Sequence, residues 1–173
     1  MSGTGSGAGT AQMGAGQRVI AVTVDAGGSG FVSPTIAFDA PPQQTFTGGV
    51  AAITTATNSI IITGHPFETG QQISLDTTTL DPAAVAPTGL AAGTYYAIRV
   101  DADTFKVASS ESNANNGTEV PITGVGSGNM FFQGVTATGN VTLTGDAITG
   151  VTITNNGTGY TGAPLTTVTD SAG

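Results

Sequence analysis

From Thr94 to Ala108 the chain reads TYYAIRVDADTFKVA, in which Tyr95, Ala97 and Arg99 alternate with Tyr96, Ile98 and Val100. A period of two puts successive side chains on opposite faces of a strand. Asp101-Ala102-Asp103 then supplies turn residues, and Thr104 to Ala108 returns as a second β-rich run, so the pattern predicts a β-hairpin. Val19 to Val24, Thr35 to Asp39, Ser59 to Thr63, Gln71 to Leu75 and the alternating Val135 to Thr144 read as further strands. Pro41-Pro42 ends the early part, Asp76 to Gly93 is a turn-rich connection, and Asn116-Gly117 reads as a tight turn. No segment keeps an apolar 3.6-residue period over three turns, so the expectation is an all-β protein.

One pattern occurs twice. Val22-Thr23-Val24 corresponds to Val151-Thr152-Ile153, Gly28-Ser29-Gly30-Phe31 to Gly157-Thr158-Gly159-Tyr160, and Pro34 to Pro164 after one inserted residue. Each copy is a strand, a Gly-x-Gly-aromatic turn, then Pro and another strand. Gly28, Gly30, Gly157 and Gly159 are the expected structural turn residues, because glycine enters positive φ without a Cβ penalty. Two copies are too few for a solenoid, so they read as paired halves of one β unit.

Three regions follow. Residues 1–17, almost wholly Gly, Ser, Ala and Thr, are expected to be an extended arm held by a partner, another subunit, with ordering on its own domain as the alternative. Residues 18–49 and 134–173 form the paired β unit, and residues 50–133 an inserted β module. The expected fold is therefore two small antiparallel β subdomains of sandwich or barrel type, one inserted in the other. Met1 to Gln17, and the apolar run ending in Phe131 and Phe132, are the candidate interface.

Composition sharpens the picture. The chain of 173 residues has 27 Gly, 7 Phe, 3 Tyr and neither Trp nor Cys, so its core is expected to be thin and built from small side chains. Threonine, valine and isoleucine favour strands. Three basic against eleven acidic residues give a net charge of −8, from which no basic patch for nucleic acid or an anionic membrane can be assembled. The absence of cysteine excludes disulfides and thiolate metal sites. No apolar run approaches the ~20 residues of a membrane span. The first residues lack the basic and apolar regions of a signal peptide, so export by the general secretory route is not expected.

Candidate chemistry is sparse. His65 is the single histidine and precedes Pro66 in a loop, where a turn role is expected; a triad or zinc site needs convergent partners. Asp101 and Asp103, with Asp76 and Asp81 elsewhere, offer oxygen ligands to calcium but lack the glutamate that completes an EF-hand loop. Glu68, Glu111 and Glu119 imitate half of a glycosidase pair without a tryptophan platform. Gly27 to Gly30 is followed by neither lysine nor a helix, unlike a phosphate loop. Asn116, Asn140 and Asn156 stand in Asn-x-Thr sequons and read as turn and strand residues. The Thr-x-Thr pairs 136/138, 142/144 and 152/154 lack the fixed period of an ice-binding solenoid. Neither an enzyme nor a cofactor or metal is expected.

GHPFETGQQISL followed by GLAAGTYYAIRVDADTFKVASS resembles a small recurring β-module of tailed-bacteriophage virion proteins, with its His-x-Phe-x-Thr-Gly opening and Tyr-Tyr strand. VTITNNGTGYTGAPLTTVT and its earlier copy are similar to Gly-x-Gly-Tyr…Pro repeats of phage head and tail proteins. Together these stretches cover most of residues 18–170. The resemblance implies a building module without catalytic residues. It implies a capsid decoration or cement protein, assembled in the host bacterial cytoplasm and located in the virion. Such a protein clamps neighbouring major capsid subunits, or other virion proteins, as a homotrimer. The alternatives are a tail, neck or fibre-associated component, and a carbohydrate-binding adhesin module using exposed Tyr95, Tyr96 or Tyr160.

Overall fold

The structure, a computed structural model, describes residues 8–170. In chain order the first elements are β1 (Ala8–Gly14), β2 (Arg18–Ala26), β3 (Pro34–Phe38), β4 (Gln44–Thr47), β5 (Ile53–Thr54), β6 (Ser59–Ile61) and β7 (Gln72–Asp76). There follow β8 (Gly93–Arg99), β9 (Thr104–Ala108), α1 (Glu111–Asn115), β10 (Asn129–Gly134), β11 (Thr138–Thr144), β12 (Ala147–Asn155) and β13 (Thr166–Asp170). The fold is all-β. The chain divides into two compact units: the described residues up to Pro41 with those from Thr136, and Pro42–Val135.

The first unit consists of three antiparallel pairs, β1–β2, β11–β12 and β3–β13. β1 also lies beside β13, β11 beside β3, and β12 beside β2, so the pairs close a ring of six strands. The centre is filled by Ala11, Val19, Phe38, Ala137 and Tyr160, with Met13, Val22, Ile36 and Ile153 packed against them. The residual crevice between Val22, Ile36, Val151 and Val168 measures about 10 Å³, space for no more than one water.

The repetition extends beyond the motif legible in the sequence. β1 pairs with β2 through Gly9↔Val24, Thr10↔Thr23 and Ala11↔Val22, with register shifts at Ala8/Gly9 and Gln12/Met13. β11 pairs with β12 through Gly139↔Ile153, Asn140↔Thr152 and Val141↔Val151, with shifts at Thr138/Gly139 and Thr142/Leu143. Strand, partner and both bulges coincide. β3 pairs with β13 through Ile36↔Val168, Ala37↔Thr167 and Phe38↔Thr166. With Pro34 matched to Pro164, that ladder is mapped onto itself about Ala37 and Thr167. The two halves are thus related by a pseudo-two-fold axis.

This corrects the expectation of an arm for the described part of residues 1–17, from Ala8 onward. Ala8–Gly14 forms a strand of its own unit, because the backbone groups of β2 need a partner and the alternation of Ala11 and Met13 turns apolar groups inward. Gln17 stands in the hairpin turn with φ 56°, after Gly16 at 74°. Met1 lies outside the described residues.

In the second unit one antiparallel sheet runs in the order β4-β10-β7-β8-β9-β6-β5. Phe46 from one edge and Ile53 from the other belong to a single buried cluster with Ile60, Ile73, Phe105 and Phe132, so the sheet curls around one core. The hairpin at Thr94–Ala108 is present as β8–β9, paired Tyr96↔Ala108 to Arg99↔Phe105. Gln44–Thr47, expected in the paired unit, is instead an edge strand of this sheet, drawn there by Phe46 and its ladder to β10. Phe131 and Phe132 are 5% and 0% exposed, and Phe132 stacks 5.7 Å from Phe46. Their apolar run is core rather than an exposed surface, which removes the ground on which an interface is expected there. α1 leaves no periodic signal in the sequence. Ser110 caps it by accepting from the Asn113 amide, and Asn116-Gly117 closes its C-terminus rather than a hairpin.

Candidate functional site

In the first unit the duplicated turns are the most elaborate feature. Gly28 and Gly30 have φ of 61° and 83°, and Gly157 and Gly159 have 65° and 72°. These left-handed angles fold the chain back so that Phe31 and Tyr160 are both buried. Each turn is held by the other copy. The Phe31 amide donates to the Asp146 carbonyl at 3.0 Å, and the Tyr160 amide donates to the Gln17 carbonyl at 3.3 Å. Ile148 donates to Gly27 at 3.0 Å, and Val19 donates to Asn156 at 2.9 Å. The Asp146 carboxylate also accepts from the Gly30 amide at 2.9 Å. A Cβ on Gly27 would stand 2.3 Å from the Ile148 carbonyl oxygen, so this crossing is open only to glycine in the first copy.

Tyr160 adds what Phe31 lacks. Its hydroxyl accepts from the Ala137 amide at 2.8 Å and donates to the Asp39 carbonyl at 3.1 Å. It thereby ties together the segments that leave and re-enter this unit. Burial pushes the phenol pKa up, so the hydroxyl keeps its proton and both bonds. A buried Tyr160 cannot serve as an exposed sugar platform. The Tyr95 hydroxyl is held by the backbone of Ala91, and Tyr96 is half-buried.

The carboxylates singled out in the sequence, Glu111 excepted, are each committed to a turn, a side-chain hydrogen bond or an ion pair. Asp76 accepts from the amides of Thr79 and Thr78 and from the Thr79 hydroxyl, which lowers its pKa. Asp81 accepts from Ala83, Asp101 from Asp103, and Asp103 from Gly64. Glu68 pairs with Arg99, and Glu119 receives Asn58 and Lys106, each at 3.3 Å. Glu111 lies in the first turn of α1. Among the described residues, no three acidic or histidine side chains converge as metal ligands.

His65 stands in its predicted loop, but the ring is 3% exposed, a burial that composition did not reveal. It lies 4.8 Å from the Phe105 ring and 5.8 Å from the Phe67 ring. Nδ1 accepts from the Phe67 amide at 3.2 Å, which places the proton of the neutral ring on Nε2. Nε2 is buried without a hydrogen-bond partner of good geometry. Desolvation lowers the pKa of the ring below 6.5, opposed by the Thr104 carbonyl.

The outward face of β11 and β12 carries Thr138, Asn140, Thr142, Thr144, Thr149, Thr152 and Thr154, all exposed and uncharged. The hydroxyls of Thr138 and Thr154 are bonded at 2.8 Å, and those of Thr144 and Thr149 at 3.2 Å. Of the threonines that lack a solenoid period in the sequence, all but Thr136 are therefore gathered on one face by the hairpin. The chain matches no protein-family model, no curated protein and no solved structure.

Proposed function

We propose that this chain is a structural protein of a bacteriophage virion, a decoration or cement protein that seats on the capsid as a homotrimer and clamps neighbouring major capsid subunits. The virion assignment rests on the resemblance of the GHPFETG…TYYAIRV and Gly-x-Gly-aromatic stretches. The observation that carries a binding role over a catalytic one is how the polar groups are spent. Carboxylates cap the protein's own turns, while the outer strands offer an uncharged threonine and asparagine face ordered by its own hydrogen bonds. β-Branched side chains on a sheet lose little rotamer freedom when covered, so such a face is suited to docking on a fixed lattice. The attachment surface is then the β11–β12 face rather than an arm over residues 1–17.

Copy number in purified particles, by quantitative mass spectrometry, tests the proposal. A shell protein is present in hundreds, whereas a tail, neck or fibre component is present in small symmetric multiples. The expected result is the former; a small multiple moves the protein to the tail, and absence from particles overturns a virion role.

A further inference from the structure

We propose that His65 is an acid-sensitive latch, which when neutral pins the loop from Gly64 to Gly70 onto the aromatic core and when protonated releases it. The ring is wedged between Phe67 and Phe105, and its Nδ1 is the acceptor for the Phe67 amide. Protonation puts a second N–H at Nδ1, so that donor faces donor and the bond is lost. It also leaves a cation between two phenyl rings, where the Thr104 carbonyl favours the charge but is not within hydrogen-bond geometry of Nε2, and burial outweighs it. Opening the loop removes both penalties by returning the imidazolium to water.

The surrounding charges do not neutralise that cation. Arg99 on β8 opposes it. Asp101 and Asp103, in the β8–β9 turn, favour it, but their carboxylates already accept from the Asp103 and Gly64 amides. Glu68 in the loop is engaged by Arg99, and Lys106 on β9 is engaged by Glu119. Burial is the largest effect on the ring and lowers its pKa in the closed state. The open state consequently binds the proton more readily, so the latch is at full strength above pH 6.5 and weakens as pH falls below that value.

His65 is the only histidine and the chain has no cysteine, so it is the one side chain of a type that ordinarily changes charge between pH 5 and 8. Two measurements on the full chain test the latch. The single imidazole resonance, followed by NMR, should titrate with a midpoint below 6.5 and display the Nε2–H tautomer. Hydrogen exchange of the peptide spanning residues 64–70, corrected for intrinsic rates, should lose protection between pH 7.5 and 5. The loss is about tenfold for each pH unit between 6.5 and the midpoint measured by NMR. Peptides from β12 should not change over the same interval. His65→Asn keeps an acceptor for the Phe67 amide without a titratable group, and its loop should stay protected at both pH values. A midpoint at or above 6.5, an unchanged wild-type loop, or an equal loss in the Asn variant each overturns the latch. If the variant does not fold, the wild-type titration and exchange decide the matter.

Discussion

At Gly159 the backbone φ of 72° is what brings Tyr160 inward, and a β-branched residue is poorly suited to that region. Gly159→Val is expected to destabilise the protein by about 1–3 kcal/mol through backbone strain, measured by urea denaturation. Gly162 is the control, since a Cβ there meets open space and its φ is not left-handed; Gly162→Ala should be near neutral. Equal effects at the two positions would mean that the turn geometry is not the source of the cost. The same scale separates Phe31 from Tyr160. Both fill equivalent places, yet only Tyr160 carries the hydroxyl that joins Asp39 and Ala137. The repeat made these positions legible in the sequence, but the bonding partners of the phenol are distant in the chain and were not.

β1 is the element whose reading changes most. Its sequence, AGTAQMG, has only Met13 as a sizeable apolar side chain, so pattern and composition alike point to an extended arm rather than a strand of its own unit. What makes it a strand is the ladder offered by β2, together with the burial of Ala11 beside Val19. Removing the chain up to Gly14 should therefore leave β2 with an unpaired edge and Val19 exposed. The expected outcome is loss of the cooperative unfolding transition of the first unit, followed by near-native exchange mass spectrometry of β2 and β12. Unchanged protection in β12 would mean that β1 is dispensable. α1 is the opposite case, a real element of five residues, too short for any periodic signal, fixed by the Ser110 cap.

For the whole molecule, the placement of chain ends explains how one unit interrupts another. β4 and β10, the first and last strands of Pro42–Val135, are hydrogen-bonded neighbours, so the insert begins and ends at one place. Asp39 and Ala137 are likewise joined by the Tyr160 hydroxyl in the surrounding unit. The insert has its own buried cluster, with Phe46, Phe67, Phe105 and Phe132 at its centre. Residues 42–135 expressed alone should accordingly fold, with dispersed NMR amide shifts and a single thermal transition. A collapsed or unfolded spectrum would indicate that the insert depends on the rest of the chain.

Local order was determined by the sequence itself. The hairpin at Thr94–Ala108, the Gly-x-Gly-aromatic turns and the all-β class follow from period, turn chemistry and composition, each readable within a few residues. The tertiary structure alone decided which surfaces are free. Phe131 and Phe132 look like an exposed apolar patch until β4 and β7 flank them, and His65 looks like a turn residue until Phe67 and Phe105 enclose it. The threonines of β11 and β12 become one face only when the hairpin brings them together. Burial and adjacency depend on contacts between residues far apart in the chain, and no local pattern encodes those contacts.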